Sequence, residues 1–277
     1  MLAPSKANTP ALRGPAAVDP ACWRDVQRFM LRAAGVVLAD DQIYLLESRL
    51  ASPAREHGFA RIADFVRAAC ASPSSVPVAA ALIDAMTTHE TLFFRDPTFW
   101  TNLEQLVLPR LVAAAKTGRV KIWSAACSTG QEPYSLAMLI AERAPELADR
   151  VDIVATDVSE LAVRRASAGV FSALETNRGL SAVRLVRHFE QAPGGFRVRE
   201  ALRRRITWST HNLLGARPDP TACALVLCRN VLIYFGDTDR ASVLQRLSRA
   251  TMAGGVLGVG ATETLKEPAL APGLHAR

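Results

Sequence analysis

Two acids stand where adjacent strands of an alternating α/β pattern are expected to end. Glu132 follows the turn in KIWSAACSTGQEPYS, residues 121–135, and Asp157 lies in VATDVSE. The turn is built from Ala125, Ala126, Ser128, Thr129 and Gly130, small enough for a ligand to approach the backbone closely. The helix that follows offers unpaired N–H groups and a partial positive charge at its start. That combination suits a nucleotide, a phosphate or an adenosyl group. There is neither the GxGxxG spacing of a dinucleotide turn nor the lysine of a P-loop, and Glu132 repels phosphates while attracting a positively charged amine. Asp157, at the end of the second strand, is placed to accept hydrogen bonds from two ribose hydroxyls. Its alternative role as a plain helix cap is weakened because Ser159 already offers that cap. Asn212 in HNLL and Asn230 in CRN fall at the ends of two further strands. A lone Asn in such a place is ordinarily a turn former. Together with the two acids, four polar groups meet on one rim.

The elements that must hold them divide the chain in two. From Pro20 to about Met86, DVQRFMLRAAGVVL, DDQIYLLESRLASPAREHG, ARIADFVRAACA and VAAALIDAM read as helices, with apolar residues three and four apart. Asp40 or Asp41 can cap the second helix and Gly58 can end it. Beyond Phe99 the texture alternates. A helix is expected over 102–115, strands at 120–125 and RVDIVAT, and a helix from Ser159 to Gly169. RITWST and ACALVLC follow as strands, then the helix DTDRASVLQRLSRA, a Gly-Gly turn and the strand VLGVGA. Continuous apolar strands alternating with helices imply a largely parallel sheet covered on both faces. The basic stretch FRVREALRRR, preceded by APGG, interrupts that rhythm and reads as an inserted hairpin.

With 277 residues the chain suggests about two domains, and 49% hydrophobic residues are enough for a core. No apolar run reaches the roughly 18 to 20 residues of a membrane span. The first twenty residues, rich in Pro and Ala, lack the apolar middle of a signal peptide and read as a disordered tail of a cytoplasmic protein. Five scattered cysteines without CxxC or Cys/His spacing point to reduced thiols and to no metal site. The net charge of +7 invites a nucleic-acid reading, but much of the excess is local to Arg197, Arg199, Arg203, Arg204 and Arg205. That stretch is either a solvated hairpin face or a docking patch for an acidic partner.

Five segments in this order, TTHETLFFRD, WSAACSTGQEPYS, VATDVSE, HNLL and CRNVLIYF, resemble the chemotaxis receptor methyltransferases, the CheR family, from about residue 25 to 265. The resemblance implies an α/β fold with a Rossmann-like S-adenosylmethionine-dependent methyltransferase domain, an N-terminal helical domain and a small inserted antiparallel β-subdomain. On this chain the expected divisions are a tail at 1–20, a helical domain at 21–86, a linker at 87–100 and the methyltransferase domain at 101–277, with the insert at about 178–208. The implied reaction is methylation of glutamate side chains on the cytoplasmic signalling domain of methyl-accepting chemoreceptors. The chain is expected to act as a monomer, without nucleic acid or membrane insertion. Carried over motif by motif, the cofactor contacts are His89, Thr91, Arg95, Glu132, Asp157, Asn212, Leu213, Arg229 and Asn230. Arg95 and Tyr234 are the implied catalytic residues, and Arg49, Arg197, Arg199 and Arg203 the implied substrate-docking residues. A glutamate acceptor is already ionised near pH 7, so no general base is required. Three alternatives stand beside this reading: the same chemistry in a non-motility pathway, a non-catalytic adenosyl-binding scaffold, and a nucleic-acid methyltransferase. The last lacks the Asn/Asp-Pro-Pro-aromatic site used on flipped amines. Phe93 and Phe94 are expected to pack in the core that joins the two domains, and Arg95 to pair with either a ligand carboxylate or Asp96.

Overall fold

The computed structural model describes residues 19–263, so residues 1–18 of the tail expected at 1–20 and the last fourteen residues lie outside the described part, while Asp19 and Pro20 of that expected tail start the first helix. The N-terminal helices are α1 (Pro20–Ala34), α2 (Leu45–Glu56), α3 (Ile62–Cys70) and α4 (Pro77–Met86), with a 3-10 turn over Asp40–Tyr44. The Asp19 carboxylate accepts from the Ala21 N–H at the start of α1, with Pro20 in the first turn where its missing N–H costs nothing. One stripe of α1, from Cys22 and Trp23 through Val26 to Phe29 and Met30, is buried against Leu50, Phe65 and Leu82 of the other three helices. Asp40 and Asp41 do not cap α2. Gln42 instead reaches back to the Ala39 N–H, and Asp40 accepts from Gln27.

The second half carries α5 (Pro97–Asn102) and α6 (Leu108–Ala115), joined by a π-turn over Leu103–Val107. This helix therefore begins five residues earlier than its apolar spacing indicated, because Pro97 suits a first turn. Then come β1 (Val120–Ala125), α7 (Gln131–Arg143), β2 (Val151–Asp157) and α8 (Glu160–Ala168). A small unit follows: β3 (Val170–Phe171), α9 (Ala173–Asn177), α10 (Ala182–His188), β4 (Phe189–Ala192), β5 (Gly195–Val198) and α11 (Glu200–Arg203). The described part closes with β6 (Ile206–Thr210), β7 (Cys223–Cys228), α12 (Asp237–Ala250) and β8 (Thr251–Val259).

The main sheet has the order β6-β2-β1-β7-β8, parallel throughout. From β1 the chain moves outward through β2 to β6, then returns to lay β7 on the other side of β1. Strand order thus reverses between β1 and β7, the place where open α/β sheets bind ligands. The registers bring the tips level. Ala125 stands beside Thr156, and Asp157 beside Thr210, so the residues after β1, β2, β6 and β7 share one rim.

Three expectations need correction. The inserted antiparallel sheet, of order β3-β5-β4, starts at Val170 rather than near 178, and only the first three residues of FRVREALRRR, Phe196 to Val198, belong to its hairpin. Glu200–Arg203 of the remainder forms α11, where Leu202 buries itself beneath the helix. Gly254 and Gly255 sit inside β8 at a register shift, not in a turn before it. Finally, Phe93 and Phe94 join the methyltransferase core to the insert rather than to the helical domain. Phe93 meets Phe171 and Phe189 edge-on at 4.9 and 5.7 Å, while the Arg184 guanidinium lies 3.8 Å above the Phe94 ring.

Candidate active site

A cleft opens over the rim, walled on one side by strand tips and on the other by the helical domain. Asp157 lies at its floor, with only 6% of the residue exposed. Its Oδ2 accepts from the Ser128 N–H at 2.7 Å and its Oδ1 from the Ser159 N–H at 2.9 Å. Burial raises its pKa, and these N–H donors and His89 only partly offset that. Each carboxylate oxygen can accept a further bond. The β1 turn folds tightly beside it, with Ala126 and Ser128 at φ values of 55° and 50°. Gly130 reaches φ 96°, and a Cβ there meets the Ala166 Cβ at 2.9 Å, so only glycine lets α7 start this close to α8.

Glu132 is buried but not isolated. Its Oε1 accepts from the Ser124 hydroxyl at 2.8 Å, and its Oε2 pairs with Arg229 at 3.2 Å. Burial raises its pKa, opposed chiefly by the field of Arg229. The Arg229 side chain is 2% exposed. It pairs with Asp96 at 2.6 Å, donates to the Arg95 carbonyl at 3.0 Å and lies 3.9 Å above the Phe99 ring. Arg229 is therefore a buried keystone of the cleft wall whose terminal nitrogens are largely spent on protein groups. Asp96, the acid expected as a partner for Arg95, is taken by Arg229. The Arg95 guanidinium, bonded through Nη1 to the Glu90 carbonyl at 3.1 Å, faces the cleft without a carboxylate partner among the described residues.

The remaining residues of the expected cofactor set also line this cleft: His89, Thr91, Asn212, Leu213 and Asn230. Asn212 is committed on both sides of its amide. It donates to the Ala33 carbonyl at 2.7 Å and accepts from the Leu214 N–H at 2.9 Å, which ties the helical domain to the β6 tip. Its contribution to a ligand is thus left to its backbone and to neighbouring Leu213, whose side chain forms an apolar wall. Tyr234, half-buried at the cleft edge, is fixed by its carbonyl, which accepts from the Val37 N–H at 2.9 Å. Cys127 also borders the cleft, but burial drives its thiol far above its ordinary pKa and leaves it a poor nucleophile.

The four docking residues do not form one patch. Arg49 lines the cleft and donates to the Thr87 carbonyl. Arg197 stands on β5 between Val170 and Glu190. Arg199 donates to carbonyls 186 and 187 at the end of α10, a favourable place for a cation. Arg203 is turned inward, with Nε on the Val198 carbonyl and its stem against Gly169. The anchoring of Leu202 sets that direction.

Sequence reading missed Asp84, in ALIDAM on α4. Its Oδ1 lies 3.4 Å from His89 Nε2 and accepts from the Ser159 hydroxyl, clasping the helical domain to α8. An acid within an otherwise apolar helix was the available signal. Burial opposes a charge on His89, but the Asp84 hydrogen bond and the nearby acids outweigh it and raise its pKa. A raised histidine pKa adds stability that is fully present below the ordinary value of about 6.5 and lost as pH climbs through the folded-state value. Thermal melts at pH 5.5 to 9 should therefore show wild type losing more stability over the upper window than His89→Gln. Parallel curves contradict the clasp.

The donor set fits an adenosyl amino acid: a carboxylate for the sugar, an apolar wall for the base, and both charges for the zwitterionic end. Among the described residues no group of His, Cys, Asp or Glu has metal-site geometry. Residues 89–272 match the family described as CheR methyltransferase, SAM binding domain. Chemotaxis protein methyltransferase 1 of Pseudomonas aeruginosa is 39% identical over 242 residues, 86% of this chain and 88% of its own length. A chemotaxis protein methyltransferase of Vibrio parahaemolyticus is 38% identical, covering 88% and 89% of the two chains. The Pseudomonas putida relative named chemotaxis protein methyltransferase Cher2 is 36% identical over 86% of this chain and 88% of its own.

Proposed function

This chain belongs to the CheR methyltransferase family, and from that premise we infer how its cleft works. It is an S-adenosylmethionine-dependent protein-glutamate O-methyltransferase acting on chemoreceptors. The observation that carries the site assignment is the single cleft in which Glu132, Asp157, Arg95, Asn230 and Tyr234 converge from strand tips and linker.

Bound S-adenosylmethionine supplies a methyl group on a sulfonium, an electrophile that needs no further activation. The chain's residues bind and align. Asp157 accepts from the sugar hydroxyls, Leu213 walls the base, and Glu132, compensated by Arg229, receives the amino group. The acceptor glutamate is ionised near pH 7, with an ordinary pKa of about 4.3, so no residue must remove a proton. Arg95 presents a planar fork that can hold a carboxylate bidentately. Tyr234 closes the edge where the acceptor enters. Such alignment contributes several kcal/mol to the barrier reduction.

The partner surface follows from the same geometry. Arg49 at the mouth meets the acidic acceptor segment, while Arg197 and Arg199 on the insert guide the receptor's signalling domain from a distance. The partner is the receptor's cytoplasmic signalling domain, which the enzyme meets as a monomer. No helix among the described residues is long and apolar enough to cross a membrane. Arg197→Glu should raise KM for the receptor about tenfold, as loss of a rim charge does, and leave S-adenosylhomocysteine affinity unchanged. Kinetics and calorimetry on the same preparation check both. Incubation with labelled S-adenosylmethionine and chemoreceptor fragments, followed by mapping of the base-labile ester, tests the function. Label on residues other than glutamate, or none, contradicts it.

A further inference from the structure

Glu263, in the GATE segment just beyond β8, is 8% exposed and accepts four backbone N–H bonds. Its Oε1 takes Val231 and Leu232, both at 2.7 Å. Its Oε2 takes Asn230 at 2.8 Å and Gly260 at 2.6 Å. Three of these donors are consecutive residues of the loop that carries Arg229, Asn230 and Tyr234. That loop bends sharply, with Asn230 left-handed at φ 61°, a conformation uncommon outside glycine but tolerated by Asn. It then runs into the 3-10 turn Leu232–Tyr234, whose first N–H groups have no partner within the turn. One carboxylate therefore gathers the orphan donors of the bend and the turn. Gly260 is packed against it so closely that a Cβ there meets Glu263 Oε2 at 2.7 Å and Asn230 Nδ2 at 2.8 Å.

We propose that Glu263 is a positioning residue for the methyl-transfer site: by clamping backbone 230–232 it holds Asn230 in its left-handed pose and sets the direction of Arg229, Asn230 and Tyr234. The carboxylate touches neither cofactor nor acceptor. It acts through the loop. Geometry argues for a carboxylate rather than an amide here, because an amide would point an NH₂ at backbone donors. The inference rests on the cofactor site assigned above.

Two variants reach the clamp from opposite sides. Glu263→Gln keeps the shape and removes two acceptor directions. Gly260→Ala keeps the charge and crowds it. For both, S-adenosylhomocysteine affinity is measured by calorimetry at 10 °C on protein shown by circular dichroism to be folded, together with KM for S-adenosylmethionine and the melting temperature. The expected result is a Kd raised tenfold or more in each variant, a matching rise in KM, and one-site stoichiometry in the folded fraction. Glu263→Asp, which keeps the charge on a shorter arm, should recover part of the affinity. A clamp that serves stability alone lowers the melting temperature while folded protein binds with wild-type Kd, and that result overturns the proposal. If Glu263→Gln does not fold, Gly260→Ala decides the matter by the same readout. If wild type itself fails to bind S-adenosylhomocysteine, the cofactor site is at fault rather than the clamp.

Discussion

Asp157→Ala should weaken S-adenosylhomocysteine binding by about 150-fold, some 3 kcal/mol, in a chain that remains folded. A hydrogen bond to an ionised group is worth about 1.5–3 kcal/mol, and this carboxylate offers its free lone pairs to two hydroxyls. Stability should not fall in step. Burial raises the folded-state pKa of Asp157, which means that its ionised form at neutral pH is more costly folded than unfolded. Truncation relieves that cost while leaving the Ser128 and Ser159 N–H groups without their acceptor. Asp157→Asn, which keeps one acceptor oxygen and the shape, should lose less affinity. Calorimetry with all three proteins reads the series, and equal affinities in wild type and Asp157→Ala remove the assigned sugar site.

The second large effect falls on stability. Arg229→Ala should cost about 3–5 kcal/mol of unfolding free energy, the penalty for stranding a buried charge. Arg229 holds Glu132, which is almost as deeply buried, together with Asp96 and the Arg95 carbonyl. With it gone, Glu132 keeps only the Ser124 hydroxyl. Combining Arg229→Ala with Glu132→Gln should recover part of the loss, because the second change removes the stranded charge. Urea denaturation of the two single variants and the double variant measures the coupling. Additive losses show that the pair does not matter. Since Arg95 is braced through its carbonyl, Arg229→Ala should also raise KM for the cofactor.

The alternation of helix and strand and the four rim residues were legible in the sequence because each depends on local chemistry. Apolar runs set β1, β2 and β7, and small residues set the turn after β1. Ser159 and Gly169 bracket α8 as their side chains dictate, with the Ser159 hydroxyl accepting from the Ala162 N–H and Gly169 left-handed at φ 65°. What sequence could not give was the partner of each charge. Arg95 and Arg229 look alike in one dimension, yet one faces the cleft and the other is buried beneath Phe99, a difference fixed by packing between distant segments. Asn212 likewise read as a ligand, but its amide is spent on the Ala33 carbonyl, 179 residues away in sequence. Glu263 and Asp84 escaped notice for the same reason. Each sits among apolar or small residues, and its purpose appears only when Val231 or Ser159 is brought beside it. The short insert was misplaced because two-residue β3 is too brief to leave a pattern, and its pairing with β5 is non-local.

The most direct test of the cofactor site is a crystal structure of the chain with S-adenosylhomocysteine. The nucleoside should lie in the cleft between the helical domain and the strand tips, its sugar hydroxyls on the Asp157 carboxylate and its amino-acid end toward Glu132 and Arg95. A ligand bound elsewhere, or bound in the cleft with its sugar turned away from Asp157, contradicts it.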